Sequence, residues 1–404
     1  MTTVIRTLTM IICWLTALLC MAQKKEISQA QTYIKSGKDL DKAEALMTGL
    51  LSKDTLNREN KKIYEVWYDA VSKQYEAANE KLYLKQQYDT AQFFNLVRQL
   101  YLVGETLDSL DARPDKKGRV KPDFRRQHAA ELNLLRRNLY YGGTYQTRKG
   151  NYQQAFDFFD TYIDADRQPL FTGYNYEKND TLMVRAAYWA TFCAYKLQRA
   201  DLMLRYRELS LRDKPYREYT LQYLCEAYRL QHDDTAYVAT LQTGYDEYAE
   251  HPYFFPRLAD YYTAAGEYER VLMLAERGLS MYADNQLFLL AKSVAELNLE
   301  KYEACVATSE RLIALNDTLP EAYFNIATVK LNQALELEQR NEPRQYRAQL
   351  TRLYMDARPY MEVYRKLAPE QKRRWAPALY RIYLNLNMGK QFDEIDRVMQ
   401  SFNN

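Results

Sequence analysis

Apolar residues in the stretch 254–284 recur at the spacing of two short amphipathic helices. Leu258 and Tyr262 lie four residues apart, which places them on one face of a helix. Gly266 follows, and glycine is the residue type that most often ends a helix in a left-handed conformation. A second periodic run begins at Tyr268. The stretch is therefore predicted to fold as a helical hairpin that turns at Gly266.

The same pattern recurs along most of the chain, as imperfect copies of this hairpin. Further helix pairs are predicted at 24–56, 125–166, 187–211, 219–249, 286–315, 320–369 and 375–399. The pair at 320–369 is longer than the others, and Pro359 should kink its second helix or mark its first turn. The last pair is expected to turn at Gly389. Two long helices at 59–84 and 89–110 keep the helical period but match the hairpin pattern poorly.

The residue types at fixed places in the 254–284 hairpin resemble those of the tetratricopeptide repeat, a helix–turn–helix unit of about 34 residues. The matching positions are Phe255, Leu258, Ala259, Tyr262, Tyr268, Val271, Ala275 and Gly278. Val271 departs from the usual alanine. The resemblance implies an all-α fold, namely an α-solenoid of stacked antiparallel helix pairs forming a superhelix. As a whole, the chain resembles secreted tetratricopeptide proteins of Gram-negative bacteria.

Three segments follow from these patterns. We predict a signal peptide at 1–22, divergent N-terminal helical hairpins at 23–124, and a tetratricopeptide-like solenoid at 125–404. The polar connection 111–124 contains two prolines and several basic residues, and it is the one place where a hinge is expected. Because a single hairpin cannot bury its apolar face alone, the pairs are expected to stack into one continuous core.

Residues 1–22 have the pattern of a secretory signal. Arg6 is their only charge, 8–19 is almost wholly apolar, and small residues precede Gln23. Such a run is too short to span a bilayer, which needs about 20 residues. We expect export across the inner membrane, no membrane span after cleavage, and a periplasmic or envelope-associated protein. Lipidation at Cys20 is the alternative, although the preceding leucine is bulky for a lipoprotein signal.

Composition narrows the classes of function. The chain has 56 Lys and Arg against 53 Asp and Glu, and this near neutrality argues against nucleic acid as a partner bound through bulk charge. Twelve glycines in 404 residues are few for β-rich or dinucleotide-binding folds. Tyrosine is abundant, at 37 residues, and we expect most of these rings to pack between helices with the hydroxyl at the wet edge.

The sequence contains no recognisable catalytic motif, and no cofactor or metal site is expected. The histidines His128, His232 and His251 are scattered and form no zinc-binding pattern. The carboxylates Asp157, Asp160, Asp164 and Asp166 follow the pattern of a surface helix, where solvation is the ordinary explanation. The protein is therefore predicted not to be an enzyme.

Only three cysteines lie beyond the signal segment, and none forms a CxxC pair. Cys193, Cys225 and Cys305 each sit on an apolar helical stripe. We expect buried free thiols. A Cys193–Cys225 bridge is the alternative, since the two are about one repeat apart and the compartment is oxidising.

The resemblance also implies where a partner would bind. Tetratricopeptide solenoids typically hold a peptide or partner helix on the concave face, lined by the first helix of each pair. By register, the corresponding positions are Trp189, Gln222, Glu226, Arg229, Asp260 and Thr263. The predicted function is a non-enzymatic protein–protein interaction scaffold of the bacterial envelope. The alternatives are a glycan-binding protein that uses Tyr and Trp as sugar platforms and an α-helical carbohydrate-active enzyme with paired carboxylates.

One short motif recurs at helix junctions. Asp-Ser/Thr-aliphatic triplets begin at Asp54, Asp89, Asp108, Asp180, Asp234 and Asp317. Because Asp, Ser and Thr are favoured helix caps, capping is the simpler interpretation. The triplets also resemble the acceptor site of a bacterial envelope O-glycosylation system, and this is the functional alternative.

Overall fold

The computed structural model describes residues 23–340 and 343–402, apart from the side chains at 343 and 344. The predicted signal peptide at 1–22, with Cys20, lies outside the described residues. Every regular element in the described ranges is helical. The chain divides into two compact units, 1–240 and 241–404, and the division falls within a helix.

Unit 1 is a stack of helices in chain order. Its first helix covers 23–36 and is called α1. The others are α2 (Leu40–Lys53), α3 (Lys61–Tyr83), α4 (Thr90–Asp111), α5 (Arg125–Arg148), α6 (Tyr152–Asp164), α7 (Tyr176–Asn179), α8 (Leu182–Lys196), α9 (Ala200–Arg205), α10 (Arg207–Ser210), α11 (Arg217–Gln231) and α12 (Asp234–Glu247), the helix that contains the division. From α2 to α6 each helix packs on the next, and α6 packs on α8.

Unit 2 repeats the arrangement. Its helices are α13 (Phe254–Ala264), α14 (Tyr268–Met281), α15 (Gln286–Asn298), α16 (Tyr302–Leu315), α17 (Pro320–Glu338), α18 (Pro343–Leu367), α19 (Lys372–Asn385) and α20 (Gly389–Gln400). Each packs on its successor. Because tight turns join the members of each pair, the pairs are antiparallel. The predicted α-solenoid of tetratricopeptide-like helix pairs is therefore confirmed within each unit.

The turns between paired helices share one geometry. Gln198, His232, Gly266 and Glu300 follow one another at intervals of 34 residues, and each adopts a left-handed conformation. In each turn the amide one residue later donates to a carbonyl five residues back, as Glu267 does to Tyr262 at 2.8 Å. This bond is the signature of the Schellman motif, which satisfies carbonyls that the helix end would otherwise leave free.

The last turn differs from the prediction. Asn387 is the left-handed residue, with φ 55°, and Gly389 is instead the first residue of α20. The motif determines which position must be left-handed, and asparagine tolerates that conformation. Pro359 also does not begin a helix, because α18 runs through it from Pro343 to Leu367.

Glycines let neighbouring helices approach closely within unit 2. A Cβ added at Gly278 in α14 would lie 2.8 Å from the ring of Phe288 in α15. One repeat earlier, a Cβ at Gly244 would lie 2.3 Å from the ring of Phe254. Both phenylalanines are fully buried. The small residue at this signature position thus provides room for an aromatic ring of the following helix.

The spacing of the repeats is longer between Gly150 and Gln198. Gly150 and Gln198 are 48 residues apart, 14 more than the period. The extra residues form two short 3-10 turns, Ala165–Arg167 and Pro169–Phe171, followed by α7. We call residues 165–180 the insert. The second helix of the next pair is also broken, into α9 and α10 on either side of Tyr206.

The connection between α4 and α5 is held by side chains at both ends. Asp111 accepts hydrogen bonds from the amides of Asp123 and Phe124 and pairs with Lys61 at 2.7 Å. Arg125 pairs with the buried Asp108 at 2.7 Å. The hinge expected between 111 and 124 is therefore tied to the helices at both ends.

The three cysteines agree with the expectation of buried free thiols. Cys193, Cys225 and Cys305 are free and buried. Burial raises the pKa of Cys193 to about 12 and that of Cys305 to about 11. Within 23–340 and 343–402, no helix combines the length and apolarity needed to cross a membrane.

Candidate protein-interaction surface

Half-exposed aromatic rings lie on three consecutive first helices of unit 1. We call this set the aromatic strip; it consists of Tyr140, Tyr141, Trp189, Phe192, Tyr216 and Tyr219. The first two lie on α5 and the next two on α8, while Tyr216 immediately precedes α11 and Tyr219 lies in its first turn. The most exposed rings are Tyr141, at 50%, and Tyr219, at 40%.

Each ring of the strip is held by a neighbouring ring. Trp189 packs edge-on against Phe192 at 5.5 Å and against the buried Tyr188 at 5.2 Å. Tyr188 in turn stacks on Tyr216 at 4.4 Å. On α5, Tyr140 and Tyr141 make an edge contact at 6.1 Å. Aromatic contacts at these distances favour one orientation of each ring, so the strip is preorganised.

The α5 and α8 parts of the strip are linked by a polar contact. The Trp189 indole of α8 lies near the hydroxyl of Tyr140 on α5 and acts to lower the pKa of Tyr140, whereas burial, the larger effect, raises it. This contact connects two first helices.

Cations lie against the strip. The Arg185 guanidinium is 4.2 Å from the ring centre of Tyr216 and pairs with the buried Asp213 at 2.5 Å. The Lys196 ammonium lies 5.4 Å from the ring centre of Phe192. These cation–π contacts help to fix the ring positions.

Four of the six predicted partner-binding residues lie in unit 1. Trp189 belongs to the aromatic strip. Gln222, Glu226 and Arg229 continue from Tyr219 along α11 at helical spacing, so they share its face. The Glu226 and Arg229 side chains pair at 2.8 Å, with exposures of 13% and 54%.

The two remaining predicted residues, Asp260 and Thr263, lie on α13 in unit 2, where Asp260 is exposed and Thr263 half-buried. Their role in binding stays a prediction.

Sequence reasoning missed five residues of the strip. Register pointed to Trp189, but the abundant tyrosines were expected to pack between helices. That expectation fits buried rings such as Tyr188 and Tyr223. It fails for Tyr141 and Tyr219, which follow the same helical period yet point outward. Applying the register that selected Trp189 to α5 would have indicated Tyr141.

Of the four acidic residues predicted to face water, Asp160 differs. It accepts a hydrogen bond from Tyr206 at 2.7 Å and pairs with Arg205 at 2.9 Å, while burial raises its pKa. Asp164 accepts from Gln168 and Asp166 from the amide of Glu177, but both remain partly exposed, as does Asp157. Solvation alone therefore does not describe Asp160.

The histidines are also structural. His128 is buried between the rings of Tyr68 and Phe124, at 4.2 and 5.5 Å, and burial lowers its pKa. His232 forms a turn, and His251 packs against Phe254. Across the part of the chain that is described, no group of three His, Cys, Asp or Glu side chains could hold a metal ion.

The Asp-Ser/Thr-aliphatic triplets cap helices in part. The carboxylates of Asp54, Asp89 and Asp180 accept from backbone amides at the start of the following helical segment. Asp108 lies inside α4 and instead pairs with Arg125 of α5. The exposed hydroxyl-bearing residues are Thr55, Ser109, Thr181, Thr235 and Thr318, while Thr90 is half-buried. Capping explains three triplets, and glycosylation stays a prediction.

Comparisons with known proteins give structural likenesses alone. No profile of a protein family matches the chain, and no curated protein matches it. The C-terminal part of a tetratricopeptide-repeat-containing protein from Cytophaga hutchinsonii is 13% identical, with 65% of this chain and 94% of that chain covered and a TM-score of 0.44. Yeast Tom70 is 10% identical, with 94% and 91% covered and a TM-score of 0.34. At these scores the fold class rests on the hairpins, turns and period of this chain itself.

Proposed function

We propose that the protein is a non-enzymatic scaffold of the bacterial envelope that binds a segment of another protein across the aromatic strip. The observation that carries this proposal is the run of half-exposed, mutually packed rings on three consecutive first helices. The secretory pattern of residues 1–22 supports a location of the protein in the envelope. The partner is a helix or extended segment that presents apolar side chains to the rings.

The chemistry of the strip suits such a partner. Tyrosine and tryptophan are enriched among the residues that dominate binding energy at protein interfaces. Rings already held by their neighbours lose little freedom on binding, which lowers the entropic cost of association. Leu134 extends the apolar surface, since it is 81% exposed and lies seven residues, or about two turns, before Tyr141 on α5.

The experiment compares matched tyrosine variants of the full-length protein. Tagged wild type and the double variant Tyr141→Ala/Tyr219→Ala are used to isolate partners from gently solubilised native envelopes. The control is Tyr83→Ala, which removes a ring that is 85% exposed at the end of α3, outside the strip. We expect a stoichiometric partner with wild type and control, and loss of that partner, about tenfold or more in affinity, with the double variant.

Retention of every partner by the double variant would refute binding at the strip. The Glu226–Arg229 ion pair makes charge reversal at Arg229 a poorer test, because the change also disrupts a contact within α11. Tyr141 and Tyr219 are chosen because they are the most exposed rings of the strip, at 50% and 40%.

Glycan binding is the second candidate, because the exposed rings of Tyr141 and Tyr219 could also stack against sugars. A glycan array probed with wild type and the same two variants separates the candidates. A glycan that wild type and Tyr83→Ala bind but the double variant does not bind would favour glycan binding. An α-helical carbohydrate-active enzyme would in addition release sugars from that glycan.

A further inference from the structure

The insert forms a second surface feature, distinct from the aromatic strip. It contains the 14 residues by which the Gly150–Gln198 spacing exceeds the repeat period. Loops of unusual length in compact proteins are often functional. The insert is also well ordered by packing, so it can build a site of defined shape.

An arginine sandwich anchors the insert to unit 1. The buried Arg136 of α5 lies between the rings of Tyr162 and Tyr176, at 3.9 and 3.8 Å from their centres. Arg136 also bonds the carboxylate of Asp180 and, at 2.9 Å, the carbonyl of Tyr162. Phe171 stacks on the buried Tyr101 of α4 at 5.4 Å. The middle and the end of the insert are thus fixed to the helices beneath it.

Two adjoining cavities open beside the insert. One, of 590 Å³, lies between the insert and Arg212; the other, of 380 Å³, extends toward α9 and α10. They share Asp166, Arg167, Glu177 and Arg212, so they adjoin, and we call the two together the trough. Both open to solvent, as binding of an extended chain requires.

The charges that line the trough are unbalanced. Three cations are paired: Arg205 with Asp160 at 2.9 Å, Arg207 with Glu208 at 3.1 Å, and Arg212 with Glu177 at 2.6 Å. The remaining lining carboxylate, Asp166, accepts from the amide of Glu177 at 3.1 Å. Arg167 and Lys178 are exposed, and within the described residues neither side chain makes an ion pair. Two cations therefore remain available to a ligand.

We propose that the trough binds an acidic peptide segment of a protein partner. Arg167 offers a planar guanidinium that can bind a carboxylate through two hydrogen bonds, and Lys178 offers a second positive charge. Carboxylates spaced along a peptide can meet these two cations while avoiding Asp166 and Glu177. A compact polyanion such as phosphate would bring its whole charge close to those carboxylates.

The test measures binding of a fluorescein-labelled glutamate-rich peptide to the full-length protein by fluorescence anisotropy, at low and at physiological ionic strength. The probe is compared with the same peptide carrying glutamine in place of glutamate. The variant is Arg167→Glu/Lys178→Glu, which changes two exposed, unpaired side chains. The control is Lys24→Glu/Lys25→Glu, with the same change in net charge on exposed residues of α1.

We expect wild type and control to bind the glutamate peptide and not the glutamine peptide. Arg167→Glu/Lys178→Glu should lower the affinity about tenfold or more while retaining the circular dichroism spectrum of wild type. Lys178→Gln alone should give a smaller loss in the same direction. Equal binding of the two peptides, equal losses in variant and control, or no binding by wild type would overturn the proposal.

A competition experiment distinguishes an acidic peptide from an anionic polysaccharide as the ligand of the trough. Displacement of the labelled peptide by unlabelled peptide but not by a sulfated polysaccharide at equal charge concentration supports the assignment. Tighter binding of the polysaccharide, with the same dependence on Arg167 and Lys178, would overturn it. The aromatic-strip variant Tyr141→Ala/Tyr219→Ala should bind the peptide as wild type does, so the two proposals can fail separately.

Discussion

At the scale of single residues, Glu105 in α4 has an unusual environment. One carboxylate oxygen of this side chain is buried and has no hydrogen-bond partner. Burial, with a smaller contribution from the nearby Asp164, raises the pKa of Glu105 to about 8. The folded protein therefore holds a proton on this carboxyl group at neutral pH, whereas an unfolded chain releases it at the ordinary pKa of about 4.3.

The proton on Glu105 links stability to pH. Between about pH 5 and 8 the folded state binds one more proton than the unfolded state, so the free energy of unfolding falls as pH rises. The slope for one proton is at most about 1.4 kcal/mol per pH unit. Glu105→Gln removes the ionisation, and we expect its melting temperature to rise relative to wild type as pH increases from 5 to 8. If the melting temperatures of wild type and Glu105→Gln change with pH in the same way across this range, the assignment is contradicted.

At the scale of elements, the hairpins depend on two local features. The left-handed turn residues complete Schellman motifs, and small residues allow close helix contacts. Sequence reasoning found both where glycine provided the signal, as at Gly266 and Gly278. It did not mark Gln198 or Asn387 as the left-handed residues, because the conformation there comes from the hydrogen bonds of the helix end and not from a permissive residue type.

The close helix contact predicts the effect of adding one methyl group. Gly278→Ala would place a carbon 2.8 Å from the buried ring of Phe288, so the ring or one of the two helices must shift. We expect a loss of about 1–3 kcal/mol from overpacking, despite the higher helix propensity of alanine. The urea midpoint of full-length protein, followed by circular dichroism, measures the effect.

Gly49 in α2 supplies the matched control. A Cβ at this helical glycine would meet no atom within 4 Å. Gly49→Ala should therefore stabilise its helix by about 0.5–1 kcal/mol. If both alanine variants raise the midpoint, the close contact at Gly278 is not a constraint on packing.

At the scale of the whole molecule, residues 1–22 carry the pattern of a secretory signal. We predict that the protein, expressed with its complete N-terminus in a Gram-negative host, is cleaved so that the mature chain begins at Gln23. Intact mass and N-terminal sequencing of the fractionated protein test this. A chain that begins at Met1 would refute export by a cleaved signal, and a lipid-modified chain that begins at Cys20 would establish the lipoprotein alternative.

Most of the repeat architecture was predictable for a local reason. A helical hairpin depends on apolar spacing within about 30 residues, and repetition at 34 residues multiplies that signal. The insert was less predictable. Its rings and Arg136 come together from α4, α5, α6 and the insert itself, and the sequence between Asp164 and Leu182 has no periodicity that indicates this packing.

The candidate surfaces were predictable only where local helix register determines them. Register alone located Trp189 and the polar face of α11, since both follow from the positions of the first helices. The sequence by itself determined that the chain forms helix pairs, where most of them begin and end, and that no familiar catalytic motif interrupts them. Only the tertiary structure decided which tyrosines are exposed, that Arg136 lies between the rings of Tyr162 and Tyr176, and that Arg167 and Lys178 line one trough. The physical reason is that helix formation depends on neighbours in sequence, whereas exposure and pairing depend on which side chains of other helices occupy the adjacent space.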